Sequence, residues 1–162
     1  MEISKHIKII EQAHKNQYRR ANITTPYIIH PIWCAMTLLH ETNLDLKFKK
    51  KGYLALLYHD VLEDSNKKIK LSKEVGELVE NMTFDSFSVE RAELWSKSPE
   101  IKLLKLYDKV SNLMDGEWMD ETKMKLYLKH TKRLIKEIKE VYGDLNIVII
   151  AQKIIKSRGK QK

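Results

Sequence analysis

Cysteine is nearly absent from this chain: Cys34 stands alone among 162 residues. No internal disulfide can form, so the fold must rest on its hydrophobic core, as is usual in reducing compartments. A cytoplasmic setting is the expectation. Three prolines and five glycines are too few for the many tight turns of a sheet-rich fold. Long apolar runs are missing too. No stretch approaches the ~18 uninterrupted apolar residues of a membrane-spanning helix, and the opening MEISKHIKIIEQ lacks the apolar core and small-residue cleavage site of a secretory signal. Neither membrane insertion nor secretion is expected. Leu, Ile, Lys and Glu are abundant, with 43% hydrophobic and 32% charged residues, which points to one all-α domain.

Charge is unevenly placed. The chain has a formal net charge of +8, and residues 123–162 carry twelve Lys/Arg against three Asp/Glu. Such a segment could attract polyanions through its field. Lys129, Lys132, Lys136 and Lys139 recur at helical spacing, however, and read as one solvated helix face followed by the short basic tail 158–162. Nucleic acid is not an expected partner.

Apolar periodicity predicts about eight helices. Ile3, Ile7, Ile10 and Ala13 mark an opening helix ending near Asn16, followed by the loop YRRANITTP, whose final proline disfavours helix at Thr25. Further helices are expected from His30 or Pro31 to Leu39, Lys51 to Leu62, Leu71 to Met82 with Ser72 as cap, and Val89 to Trp95. Ser98-Pro99 opens another through Leu113. The last two run from Glu121 to Tyr142, closed by Gly143, and from Leu145 to about Lys156, with Asp144 as its cap. No repeat or long linker divides the chain, and no strand is required.

One constellation departs from ordinary patterning. His6, His14, His40 and His130 sit in amphipathic contexts where an imidazole needs no special role. His59 and Asp60 instead emerge from the apolar run LALLY, and each is followed four residues later by a carboxylate, Glu63 and Asp64. On a helix these pairs form two adjacent columns. Like charges at the end of a buried helix repel and lose hydration, a penalty that a bound cation removes. His30 in PYIIHP and Asp108 in KLLKLYDKVSNL can complete a mixed nitrogen and oxygen donor set. That set suits Mn²⁺, Fe²⁺ or Zn²⁺ better than Ca²⁺ or Mg²⁺. Asn112 follows Asp108 by four and shares its face.

The order H…HD…D on helices resembles the HD superfamily of metal-dependent phosphohydrolases. The finer match is to the alarmone hydrolases of the RelA/SpoT group, including small stand-alone members that consist of the hydrolase domain alone. Four segments carry it: YRRANITTPYIIHP, ALLYHDVLEDS, VGELVENMTFD and IKLLKLYDKVSNL. The resemblance implies an HD-domain helical bundle over residues 1–157. It implies a metal, usually Mn²⁺, on His30, His59, Asp60 and Asp108, with Glu63 and Asp64 positioning and activating the attacking water. Arg19 matches an arginine beside the substrate's phosphates, Asn112 a polar substrate contact, and Lys123 and Tyr127 a basic and aromatic pair bordering the nucleotide. The implied reaction converts ppGpp or pppGpp to GDP or GTP plus pyrophosphate.

The chain also departs from the family pattern. Tyr58 and Tyr107 replace small or aliphatic residues beside the metal ligands, Ser65 stands where threonine is common, and the segment between Thr83 and Arg91 lacks an expected lysine. Two other readings follow from these changes. One is a metal-dependent phosphatase for another nucleotide, such as the 2′-phosphate of NADPH or a nucleoside monophosphate. The other is a non-catalytic basic helical binding module.

Overall fold

The structure is a computed structural model that describes residues 3–61 and 69–159. Its described residues form eight α-helices: α1 (Ile3–Ala13), α2 (Ile29–Leu39), α3 (Leu46–Tyr58), α4 (Lys73–Met82), α5 (Phe87–Glu93), α6 (Pro99–Met114), α7 (Glu121–Tyr142) and α8 (Asn146–Arg158). Short 3-10 turns cover Leu94–Ser96 and Gly116–Trp118. Among the described residues there is no strand, only one isolated bridge between Tyr18 and Pro26 that pinches the first loop. The all-α expectation holds.

Local chemistry explains most helix starts. Ser72, Ser86, Ser98 and Asp120 each accept the backbone N–H three residues on, satisfying a donor that the first turn leaves orphaned. Pro99 occupies the first turn after Ser98, where its missing N–H costs nothing. Asp45 caps α3 through the Phe48 N–H at 3.0 Å, so this helix begins at Leu46, five residues earlier than its apolar pattern predicts. Helix α1 ends at Ala13 rather than near Asn16, which has a left-handed φ of 64°. Gly143, with φ 74°, closes α7 in a conformation that glycine tolerates best.

Asp144 does not cap α8. That helix receives its acceptors from Glu41, just beyond α2: one carboxylate takes the Asn146 N–H at 2.9 Å, the Ile147 N–H at 2.8 Å and the Tyr107 hydroxyl at 2.9 Å. Asp144 instead pairs with Lys139 at 2.6 Å. A carboxylate 105 residues away in sequence supersedes the neighbouring one because it is fully enclosed and faces both N–H groups.

Helix α6 is the axis of the bundle. Leu103, Leu104, Leu106, Tyr107 and Val110 are fully buried there, and α2, α3, α4, α7 and α8 all pack on it. α3 comes close because it presents Gly52: a Cβ there would lie 2.8 Å from Leu38 Cδ2 and 3.2 Å from Leu104 Cδ2. The close crossing brings the start of α2, the end of α3 and the middle of α6 together. The two tyrosines that depart from the family pattern are absorbed by this packing. Tyr58 reaches α1, where its hydroxyl meets His6 Nδ1 at 2.8 Å, and Tyr107 reaches Glu41. Arg158 ends α8 within the fold, donating to the carbonyls of Leu113 at 3.0 Å and Met114 at 2.8 Å.

Candidate active site

His30 opens α2, His59 and Asp60 directly follow α3, and Asp108 lies mid-way along α6. All four are buried. His59 Nδ1 donates to the Leu56 carbonyl at 2.8 Å, which turns Nε2 inward as a lone pair in the neutral ring. His30 Nδ1 meets Ser111 Oγ at 2.8 Å, and burial pushes this imidazole below its ordinary pKa. The two Nε2 atoms face each other at 3.3 Å. Carboxylate oxygens close the group: Asp60 Oδ1 is 3.1 Å from His59 Nε2, Asp60 Oδ2 is 3.4 Å from His30 Nε2, and Asp108 Oδ1 is 3.5 Å from the same nitrogen.

With the imidazoles neutral, the two Nε2 lone pairs and the Asp60 carboxylate converge on one point and repel unless a cation lies among them, while Asp108 borders the group through His30 alone. Donors that share one ion at about 2.0–2.2 Å stand roughly 3.0–3.5 Å apart, which is the spacing found here among the two Nε2 atoms and Asp60, and between His30 and Asp108. The donors fit a divalent transition metal. Burial alone would raise the Asp60 carboxyl, but with no ion bound, positive charge on His59 and His30 and the Tyr27 hydroxyl at 2.6 Å hold it below the ordinary carboxylate range. Asp108 likewise resists burial because Lys105 and Lys109 stand beside it, and its carboxyl titrates well below the usual range.

A cleft of about 330 Å³ opens over Asp60 and Asp108. Five cations line it, Arg19, Arg20, Lys105, Lys109 and Lys123, together with Tyr27, Phe84, Phe87, Trp118 and Tyr127. Arg19, Asn112, Lys123 and Tyr127 are therefore brought together as the sequence anticipates. Their contacts within the protein are more specific. Arg19 Nε donates to Asp115 Oδ2 at 2.8 Å and its Nη2 to Asn112 Oδ1 at 3.3 Å, while Asn112 Nδ2 donates to Asp108 Oδ1 at 2.6 Å. Asn112 thus couples the arginine to a metal-facing carboxylate. Lys123 lies 4.2 Å from the Trp118 ring centroid, with Arg20 at 4.8 Å from the same ring. Tyr127 packs on Phe87 with ring centroids 4.3 Å apart.

Glu63 and Asp64 lie outside the described residues, as does Ser65. Several residues that sequence reasoning missed belong to the site. Tyr27 and Ser111 orient a carboxylate and a histidine, Asp115 fixes Arg19, and Lys105, Lys109 and Glu90 form a buried ion cluster behind Asp108. Ser111 and Asp115 follow Asp108 by three and seven residues, so helical spacing from the proposed ligand was the signal that could have found them.

Comparison with known proteins places this geometry. No protein-family model matches the chain. The human guanosine-3′,5′-bis(diphosphate) 3′-pyrophosphohydrolase MESH1 is 30% identical to it, over 90% of this chain and 88% of that protein. The Xenopus tropicalis MESH1 is also 30% identical, over 79% of each. The chain belongs to the MESH1 family of 3′-pyrophosphohydrolases. A solved structure described as a metazoan ortholog of SpoT that hydrolyses ppGpp superposes with a TM-score of 0.76 at 22% identity, covering 96% of this chain and 94% of that one. Family and fold therefore agree with the HD-type resemblance read from HDVLED and KLYDKVSNL.

Proposed function

We propose that this protein hydrolyses guanosine 3′,5′-bis(diphosphate), or its 5′-triphosphate analogue, to GDP or GTP and pyrophosphate. It would do so as a single phosphohydrolase domain over residues 1–157. The observation that carries the reading is the convergence of two imidazole Nε2 atoms on Asp60, with Asp108 bordering His30, beside a cleft that both carboxylates and five cations line. His30, His59, Asp60 and Asp108 would hold one divalent ion, Mn²⁺ being the usual choice in the group the sequence resembles. When bound, such an ion polarises a phosphoryl oxygen and makes hydroxide available near neutral pH.

The chain's own residues supply the rest. Arg19, held on Asp115 and Asn112, presents a fixed cation to a phosphate, and Arg20 and Lys123 extend positive charge to the cleft rim. Glu63 and Asp64 are assigned to orienting the attacking water and accepting its proton. Phe84, Phe87, Trp118 and Tyr127 give apolar surface for a nucleoside. No described helix is long and apolar enough to cross a membrane. We place the activity in the cytoplasm on the strength of a free cysteine and a cytoplasmic class of substrate.

The test is product analysis with Mn²⁺-loaded protein. Attack at the phosphorus on the ribose 3′-oxygen releases intact pyrophosphate and GDP from ppGpp. Orthophosphate from NADPH or a nucleoside monophosphate, at higher kcat/KM than for ppGpp, would reassign the substrate while leaving the metal site in place. Absence of turnover with any of these, in protein that holds its metal, would favour a binding module.

A further inference from the structure

Glu90 on α5 lies outside every motif that suggested function, yet it is 3% exposed and faces a metal-ligand carboxylate across two lysines. Its Oε2 lies 2.9 Å from Lys105 Nζ and 2.8 Å from Lys109 Nζ. The same two ammonium groups lie 2.7 Å and 3.2 Å from Asp108 Oδ2. An ammonium has three donors, so each lysine can serve both carboxylates. Glu90 Oε1 is 3.0 Å from His130 Nε2, and Trp95 and Phe87 pack against that imidazole. The four charges are buried, at 3–5% exposure, in the wall of the cleft.

This arrangement divides Asp108 between two tasks. Oδ2 is taken by the lysines, while Oδ1 accepts from Asn112 and faces His30. Without the Glu90 charge, two buried cations would share a single carboxylate. Both would draw on Asp108, and their field would oppose an arriving dication.

We propose that Glu90 is a positioning residue of the metal centre: it neutralises and fixes Lys105 and Lys109, so that Asp108 presents Oδ1 alone to the ion. The inference rests on the reading of His30, His59, Asp60 and Asp108 as a metal site. It concerns affinity for the ion and not only turnover.

The experiment titrates metal-free protein with Mn²⁺ in competition with a fluorescent chelator, and compares wild type, Glu90→Gln, Lys109→Met and the double variant. Loss of a residue supporting a metal ligand typically weakens affinity 10–100-fold, so Glu90→Gln is expected to raise the Mn²⁺ Kd by about that factor. Lys109→Met removes a cation and is expected to bind at least as tightly as wild type. The double variant restores the charge balance and should return to within about threefold of wild type. Equal weakening in all three variants would mean general loosening of the core, and unchanged affinity in Glu90→Gln would mean no positioning role; either overturns the proposal. If Glu90→Gln alone does not fold, the double variant still reads the charge balance, and a double variant that binds more than about tenfold more weakly than wild type overturns the proposal. A wild-type chain that takes up no divalent metal would remove the centre itself, and the proposal with it.

Discussion

Asp108→Asn keeps the shape of its side chain and removes one charge, so it separates the two things this residue does. In the native chain Asp108 Oδ2 meets Lys105 at 2.7 Å and Lys109 at 3.2 Å, all three groups being 4–5% exposed. Asp108 and Glu90 keep both lysines above their ordinary pKa against the opposing effect of burial. Removing one partner of a buried ion pair costs about 3–5 kcal/mol. In a chain of this size, 1 kcal/mol moves Tm by about 2–4 °C, so the metal-free variant is expected to melt roughly 6–20 °C below wild type. The second effect is on linkage. A ligand at one hundred times its Kd stabilises by about 2.7 kcal/mol, so saturating Mn²⁺ should raise the Tm of wild type by roughly 5–11 °C. The variant lacks an anionic donor and should show little of this rise. Thermal denaturation with and without Mn²⁺ measures both. A variant that melts with the wild type in the absence of metal would refute the ion-cluster argument, and one that keeps the full Mn²⁺-induced rise would refute the assignment of Asp108 as a ligand.

Glu63→Gln and Asp64→Asn are expected to keep metal content by elemental analysis while lowering kcat by about 10²–10⁴, the usual worth of general-base assistance; full turnover in both would move the base elsewhere. Arg19→Ala should leave metal occupancy unchanged and lower kcat/KM for ppGpp by about 1.5–3 kcal/mol, the worth of a charge-assisted hydrogen bond, as read by steady-state kinetics. Glu41→Ala strips acceptors from the Tyr107 hydroxyl and from two N–H groups of α8. At about 1–3 kcal/mol per unsatisfied group it should destabilise the protein by several kcal/mol in chemical denaturation. The Glu90 carboxyl is held down to about 2 from 4.5, against burial, by Lys109, Lys105 and His130. A depressed carboxylate stabilises fully above its unfolded pKa, so this contribution is whole above pH 4.5, shrinks below it and is gone once pH falls through about 2. Between these limits the metal-free wild type should lose Tm more steeply with falling pH than Glu90→Gln.

The helices were legible because their periods and caps are local. Ser72, Ser98 with Pro99, and Gly143 act where the sequence places them. Asp144 failed as a cap for the opposite reason: Glu41, brought from the end of α2 by packing, offers both N–H groups a buried acceptor that no local pattern reveals. The polar cluster around His59 was legible for a different cause. His59, Asp60, Glu63 and Asp64 crowd into six residues, so their mutual repulsion is visible without a fold. What supports that set was not legible. Tyr27 reaches Asp60 across 33 residues, Asp115 reaches Arg19 across 96, and Glu90 reaches Asp108 only through Lys105 and Lys109. Single carboxylates and tyrosines in amphipathic helices look alike until tertiary packing chooses their partners.

The charge pattern shows the same division, and it bears on function. The strongest basic signal in the sequence lies in residues 123–162, yet Lys129, Lys132, Lys136 and Lys139 are exposed on the outside of α7. Of the cations that line the cleft, only Lys123 comes from that segment; Arg19, Arg20, Lys105 and Lys109 come from parts of the chain whose charges nearly balance. Surface lysines act through a field that salt screens within about 8–10 Å. The cleft cations act at contact, and three of them, Arg19, Lys105 and Lys109, are buried. Lys105 and Lys109 remain charged because Asp108 and Glu90 balance them one for one, which leaves Asp60 as the uncompensated carboxylate among the described residues of the inner site. With the imidazoles neutral, as metal binding requires, a dication would add two positive charges beside Asp60, beneath the Arg19, Arg20 and Lys123 cations of the cleft. On the proposed function, a polyphosphate would therefore meet a more attractive cleft after the ion is seated than before, which would tie substrate capture to the occupancy of the centre beneath it.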